Sequence, residues 1–357
     1  MFQTTPLDRA GCWFLSSGIQ DEHGGVARYY RSDIRQNLPV SSEITGYAAS
    51  TLVYLFAQTG QDEYLDRAVT TARYLTRTAW CAGMEAFPFE PDASREQFNY
   101  FFDAGIIIRG LLAVWRATAE REFLDVAAAC GRAMERDFWN SADIHPILTL
   151  PDKSPIVRDD RWSRNPGCYQ LKSALAWREL AAVTGDETLR APYERALAYS
   201  LATYGSFLPG NPDRLKVMDR LHAYLYFLEG LLPVLDRKAC SIALCDGIRR
   251  VSSYLREIRP DFERSDVYAQ LLRARLLADL AGVSPLDEAA AEEEAAILAT
   301  YQNGNGGFGF GRRSGENLPF ENPVSTGFGI QALAMWEQHR SGALGAKTLD
   351  DHRLALI

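Results

Sequence analysis

Residues 43–58, EITGYAASTLVYLFAQ, carry apolar side chains round most of a helical wheel: Ala48, Ala49, Leu52, Val53, Leu55 and Phe56 leave polar groups mainly at the ends. That distribution predicts a buried helix, because a surface helix keeps a broad polar face. Residues 59–77 (TGQDEYLDRAVTTARYLTR) instead align Tyr64, Leu65, Ala68, Ala72 and Leu75 on one face with charges opposite. This second helix covers the first, and the pair is a helical hairpin.

The hairpin recurs. Residues 99–118 are again apolar almost all round and are followed by an amphipathic partner at 119–139. Further inner and outer segments pair as 167–185 with 186–207, 219–237 with 239–259, and 264–282 with 285–302. A sixth inner helix from residue 323, PVSTGFGIQALAMWEQ, has no outer partner after it; the N-terminal helix at 6–19, opened by Pro6, can supply one. The two ends match in support: WFLSSGIQDEHGGVARYY and AILATYQNGNGGFGFGRR each read as helix, Gln, three spacers, Gly-Gly and an aromatic cluster. Inner helices recur at spacings of roughly 46 to 68 residues, in the range of repeat architectures. The expected fold is all-α, an (α/α)6 toroid of six hairpins closed by the N-terminal helix, forming a single domain over 1–357 with a short tail from about residue 341. A superhelical stack of hairpins is the alternative that end-to-end matching disfavours.

Composition narrows the partners. With 47% hydrophobic and 24% charged residues the chain is an ordinary globular protein. A net charge of -8 argues against nucleic acid as a partner. The N-terminus lacks a basic region followed by a continuous apolar run, and no stretch reaches the length of a membrane span, so a cytoplasmic location is expected. Six cysteines show neither a CxxC pair nor a zinc-like Cys-His spacing, and neither metal nor cofactor is expected.

Inner-to-outer connections are short (TGQDE, TAERE, TGDET, AGVSP), whereas outer-to-inner ones are long, reaching residues 140–166. The long loops place the function at the N-termini of the inner helices, whose dipoles favour anionic or oxygen-rich ligands. The residues there are Glu43 and Tyr47; Tyr100 and Asp103; Tyr169 and Gln170; Asp219, His222 and Tyr224; Arg264, Asp266 and Tyr268; and Glu321 with Asn322. Capping accounts for any one carboxylate, but not for the Tyr, His and Arg one turn further in. Glu43, Asp103, Asp219, Asp266 and Glu321 are expected to surround one cavity. Rings with carboxylates in a cleft suit a sugar, and two carboxyl groups suit glycoside hydrolysis. Asp103, Asp219, His222, Glu43 and Glu321 are therefore the catalytic candidates. Asp103 precedes Gly105 and the strongly apolar GIIIRGLLAVW, surroundings that raise a carboxyl pKa; His222 follows Asp219 by one turn. Tyr30, Tyr47, Tyr100, Tyr169, Tyr224, Arg264, Asp266 and Tyr268 are candidates for binding substrate. So are Asp160, Arg161 and Trp162 of the RDDRW element, although a charged loop with one anchoring Trp is the plainer account of it. Arg28, Arg161, Arg264, Arg312 and Arg313 suit a uronate carboxylate, with surface solvation as the plainer role for each.

The hairpins of the GYAASTLVYLFAQTGQDEYLDRA type and the helix-Gln-loop-GlyGly junctions resemble the α,α-toroid superfamily, which includes six-hairpin glycosidases, uronosyl C5-epimerases and terpenoid cyclases. More narrowly, GYAASTLVYLFAQT after GGVARYY, and FENPVSTGFGIQALAMW, are similar to segments of the glucuronyl C5-epimerase helical domain. That likeness implies Glu321 as a site carboxylate and Tyr30 or Tyr47 as proton-transfer groups. The chain departs from other members: it has no DxDD run, no zinc constellation of the prenyltransferases and no Cys-His dipeptide of the lanthionine cyclases. The expectation is a carbohydrate-active enzyme, foremost a glycoside hydrolase on an oligo- or polysaccharide, uronate-containing glycans included. The alternatives are a uronosyl epimerase or lyase, a non-enzymatic glycan-binding or assembly protein, and a terpenoid cyclase or prenyltransferase-like enzyme.

Overall fold

The computed structural model describes residues 5–92, 94, 96–139, 143–208 and 213–357. The inner helices are α2 (Ser42–Thr59), α4 (Phe101–Thr118), α6 (Leu171–Thr184), α8 (Arg214–Leu231), α10 (Ser265–Leu280) and α12 (Pro323–Arg340). The outer ones are α1 (Pro6–Ser16), α3 (Asp62–Tyr74), α5 (Arg121–Phe138), α7 (Arg190–Phe207), α9 (Lys238–Ile258) and α11 (Glu288–Ala299). The chain packs as two compact units, one of residues 18–28 and 38–203, the other of 1–17, 29–37 and 204–357.

In the unit of residues 18–28 and 38–203, α2, α4 and α6 form the inner layer. Glycine sets their spacing. A Cβ at Gly46 would stand 2.9 Å from the Ile107 Cα, one at Gly110 2.4 Å from the Gly46 carbonyl oxygen, and one at Gly105 2.4 Å from the Ser173 carbonyl oxygen. Backbone therefore meets backbone, which no other residue permits: the second turn of α2 lies against the second and third turns of α4, and the second turn of α4 against the first turn of α6. Strands β3 (Gln97–Tyr100) and β4 (Ile147–Leu150) pair antiparallel, and β3 leads into α4. Gly60 and Gly185 end α2 and α6 in the left-handed region, whereas α4 ends at Ala119 with φ 60°. A buried ion cluster, Arg109 and Arg116 on Glu179, ties α4 to α6.

In the other unit α8, α10 and α12 are inner. Two small sheets join the loops: β2 (Gln36–Asn37), β1 (Tyr30–Arg31) and β8 (Phe320–Glu321) in one, β5 (Phe262–Arg264), β6 (Gly311–Arg313) and β7 (Glu316–Asn317) in the other. Arg273 of α10, fully buried, bonds Glu229 of α8 and Gln331 of α12. After α12 the chain forms a short helix, α13 (Leu349–Leu354), then buries Leu356 and Ile357, whose carbonyl oxygen accepts from Arg273.

The matching segments at the two ends fold alike. After α1, Gln20 bridges Val26 and donates to Thr71 Oγ1 of α3 (2.7 Å); after α11, Gln302 bridges Phe308 and donates to the Pro6 carbonyl oxygen of α1 (2.8 Å). Gly24 (φ 100°) sits on the Thr70 carbonyl and Gly306 (φ 99°) on that of Arg9. Thus α1 receives the loop after α11 as α3 receives the loop after α1, and α1 packs against α12. The helix ends at Ser16, short of the expected residue 19. The outer-to-inner connections are less uniform than expected: those before α8 and α10 span only residues 208–213 and 259–264.

Trp13 is 2% exposed, contacts the position of the missing Gly307 side chain and donates from Nε1 to Glu321. Trp13→Ala is expected to cost about 3–5 kcal/mol in chemical denaturation; a loss of a few tenths would mean that α1 is not held by this ring.

Candidate active site

Glu43, Asp103 and Lys172 stand on the first turns of α2, α4 and α6, and Glu43 interacts electrostatically with each of the other two. Asp103 is 5% exposed, and its Oδ2 has no hydrogen-bond partner among the described residues. Burial pushes its carboxyl well above the usual range, and the charge of Glu43 adds to the effect. Burial also raises Glu43, to about 7, against the opposing pull of Arg28 and Lys172. Arg28 pairs with Glu90 (3.2 Å) and lies over the Phe89 ring. Lys172 is 0% exposed, with Nζ 5.6 Å from the centre of the Tyr47 ring. Tyr47 follows Glu43 by one turn, so both stand on one face of α2.

Aromatic groups frame this constellation. Tyr100, at the N-cap of α4, packs on Phe89, and burial raises its hydroxyl to about 12. Tyr169 lies between Phe102 and Trp162, with Trp162 edge-on at 5.1 Å. The rest of the RDDRW element faces outward: Arg158 pairs with Asp143, Arg161 with Asp159, and Asp160 is exposed. Trp162 is the member of the element docked on Tyr169, and Arg161, although exposed, interacts with the Tyr100 hydroxyl. Residues 140–142, at the start of that loop, lie outside the described residues.

A second constellation occupies the other unit. His222 Nδ1 is 2.9 Å from Gln270 Oε1 and 3.3 Å from Asp266 Oδ2. Both neighbours accept, so Nδ1 carries the hydrogen and Nε2 is the basic nitrogen. Arg264 grips Asp266 through Nε and Nη2 (3.0 and 2.6 Å) and reaches Asp219 through Nη1 (2.8 Å). Burial opposes ionisation of Asp266, yet Arg264 and His222 hold its pKa below the usual value. Tyr226 packs its ring 4.4 Å from His222.

Three sequence candidates stand elsewhere than expected. Tyr224 is fully buried against Phe207 and Phe227 with Arg250 of α9 over its ring, so it faces the outer layer. Two residues turn a helix by about 200°, which carries Tyr224 away from His222. The same rotation takes Tyr268 away from Asp266, to bond Glu263 Oε2 at 2.7 Å. Glu321 accepts from Trp13 Nε1 (3.1 Å), Asn303 Nδ2 (3.0 Å) and Asn305 Nδ2 (2.9 Å) beside a recess of about 240 Å³ lined also by Ser32 and Tyr301. Its oxygens clasp three segments together, and Tyr30 pairs with it only through backbone register. Lys172, Gln270 and Tyr226 were not among the sequence candidates. A single lysine in an otherwise apolar helix, and a glutamine one turn after Asp266, were the available signals.

No family model and no curated protein matches the chain. Solved structures do. A sugar epimerase from a ruminal bacterium superposes with TM-score 0.69 at 11% identity, over 94% of this chain and 99% of that one. The cellobiose 2-epimerase of Bacillus thermoamylovorans B4167 gives 0.68 at 12% identity, over 91% and 95%. The GH76A α-1,6-mannanase of Salegentibacter sp. HEL1_6 gives 0.60 at 11% identity, over 93% and 99%. These likenesses show the fold, an all-α (α/α)6 toroid.

The carboxyl pair has a pH signature. The folded chain holds protons on Glu43 and Asp103 more tightly than the unfolded chain, so stability falls as pH rises from the ordinary carboxylate range through about 7. Melting temperatures across that range are expected to decline in the wild type and to flatten in the variant carrying Glu43→Gln and Asp103→Asn; an unchanged slope would show that the pair does not retain its protons.

Proposed function

We propose that the chain is a carbohydrate-active enzyme, a glycoside hydrolase acting on an oligo- or polysaccharide. The observation that carries this reading is the buried Asp103 carboxyl with an unpartnered Oδ2, held protonated beside a second carboxyl group, Glu43. A carboxyl that keeps its proton near neutral pH can deliver it to the oxygen of a departing sugar. Glu43, titrating near 7, is the group that takes a proton from water or attacks the sugar carbon. Tyr47, Tyr100, Tyr169 and Trp162 supply rings on which the C-H faces of sugars stack. The comparisons support the class of substrate, since the mannanase neighbour is also described with α-1,6-mannotriose bound to an inactive variant in which two aspartates are replaced. Arg28 is the cation beside Glu43 suited to a uronate carboxylate.

The second reading is sugar epimerisation or isomerisation, and the orientation of His222 favours it. With Nδ1–H fixed by Gln270 and Asp266, Nε2 is a positioned base for a proton on carbon. The epimerase neighbours support this chemistry.

Incubation with a panel of oligosaccharides in D2O separates the two. Hydrolysis releases new reducing ends without deuterium on carbon, whereas epimerisation or isomerisation incorporates deuterium at a sugar carbon. Asp103→Asn is expected to keep the melting temperature at low pH and to reduce reducing-end release by two or more orders of magnitude, about the value of a general acid. Full turnover in that variant would remove Asp103 from the mechanism and leave it as a helix-terminal residue.

A further inference from the structure

Lys172 is a charge that the hydrolytic reading does not use. It stands on the first turn of α6, inside a helix whose other residues at that level are apolar or small, and it is fully removed from solvent. A lysine on an inner helix ordinarily extends its stem until the ammonium reaches water. This one does not: its Nζ lies over Tyr47, on the face of α2 that also carries Glu43. A desolvated ammonium requires a counter-charge, because an isolated one is too costly to bury.

The groups facing Glu43 identify that counter-charge. Arg28 comes from the segment before α2; its pull on Glu43 is stronger than that of Lys172, but it is a third exposed and shared with Glu90 at 3.2 Å. Asp103 and Tyr100 come from the start of α4 and both interact with Glu43, yet neither adds positive charge. Lys172, from α6, is the cation on that side with no solvent to share it. The close contact of Gly105 with Ser173 keeps the α6 turn that bears Lys172 tight against the α4 turn that bears Asp103.

We propose that Lys172 is a positioning residue that divides the carboxyl pair: its ammonium keeps Glu43 as the charged member, and the charge on Glu43 keeps the proton on Asp103. Two carboxyl groups so near one another would otherwise share one proton with no fixed owner. The proposal rests on reading Glu43 and Asp103 as the acid–base pair, but its test needs no substrate. Carboxyl carbons of glutamate and aspartate are titrated by NMR in the wild type, Lys172→Arg and Lys172→Met. In Lys172→Met the Glu43 midpoint is expected to rise by about one to three pH units, the range for loss of a neighbouring opposite charge, and that of Asp103 to fall. Lys172→Arg is expected to restore both toward the wild type. Unmoved midpoints in a folded Lys172→Met overturn the proposal, whatever its melting temperature. Should Lys172→Met fail to fold, the variant with Lys172→Met and Glu43→Gln decides: it carries neither charge and is expected to fold, and its failure overturns the proposal. Once a glycan substrate is found, the acidic limb of kcat against pH is expected to move with the Glu43 midpoint. Absence of glycan turnover together with the expected titration would defeat the hydrolase reading alone.

Discussion

Three glycines, Gly46, Gly105 and Gly110, allow α2, α4 and α6 to meet backbone to backbone. Everything particular to the carboxyl pair depends on that approach. Interhelical distances ordinarily reflect the side chains at the contact, and a side chain at any of these positions would separate the helices and admit water between their first turns. With the backbones in contact, Asp103 and Lys172 lose their solvent and Glu43 keeps only part of its own. Retention of protons then follows from desolvation, which disfavours each added charge, and from the repulsion of one carboxylate by another. The sugar chemistry proposed for the site is a consequence of how little space the core leaves there.

The other unit also buries charged groups, several of them to a different end. Asp266 is gripped by Arg264, Glu229 by Arg273, and Glu321 by one tryptophan and two asparagines. Each of these three carboxylates has its donors in place, so its position is fixed. The contrast lies in the number of donors per carboxylate, since the residue types are the same. A satisfied carboxylate orients its neighbours, as Asp266 orients His222; one with an empty acceptor, such as Asp103, is left for an incoming group.

The helices were legible in the sequence because burial on all sides and burial on one side leave different periodicities, and each hairpin shows both. The use of α1 as an outer helix was legible because the Gln-x3-Gly-Gly junction is a backbone requirement that a sequence must spell out at both places. The site was legible only in part. The position of Asp103 on an apolar helix announced its desolvation. The directions of Tyr224 and Tyr268 were not announced, since a helix buried all round gives no polar face against which to set its rotation. The donors to Glu321 come from residues 13, 303 and 305, and only the folded chain brings them together. Lys172 was hidden for the opposite reason, because one lysine among apolar residues reads as a snorkelling side chain until its burial is known.

The two Gln-Gly-Gly junctions also show which parts of the architecture can carry chemistry. Gly24 on the Thr70 carbonyl and Gly306 on that of Arg9 make the same backbone contact, and Val26 and Phe308 donate alike to Thr45 and Thr326. The next glycine differs in what it meets: Gly25 faces the Tyr74 ring, and Gly307 faces Trp13. A backbone contact constrains the glycine that makes it but leaves the ring beyond free to vary. At the second junction that freedom supplies an indole N–H, and the indole reaches Glu321 where the first junction has Val40 at the corresponding place before α2. The repeat thus holds its helices by contacts that do not depend on side-chain identity, so that one copy can clasp a carboxylate without disturbing the packing that both share.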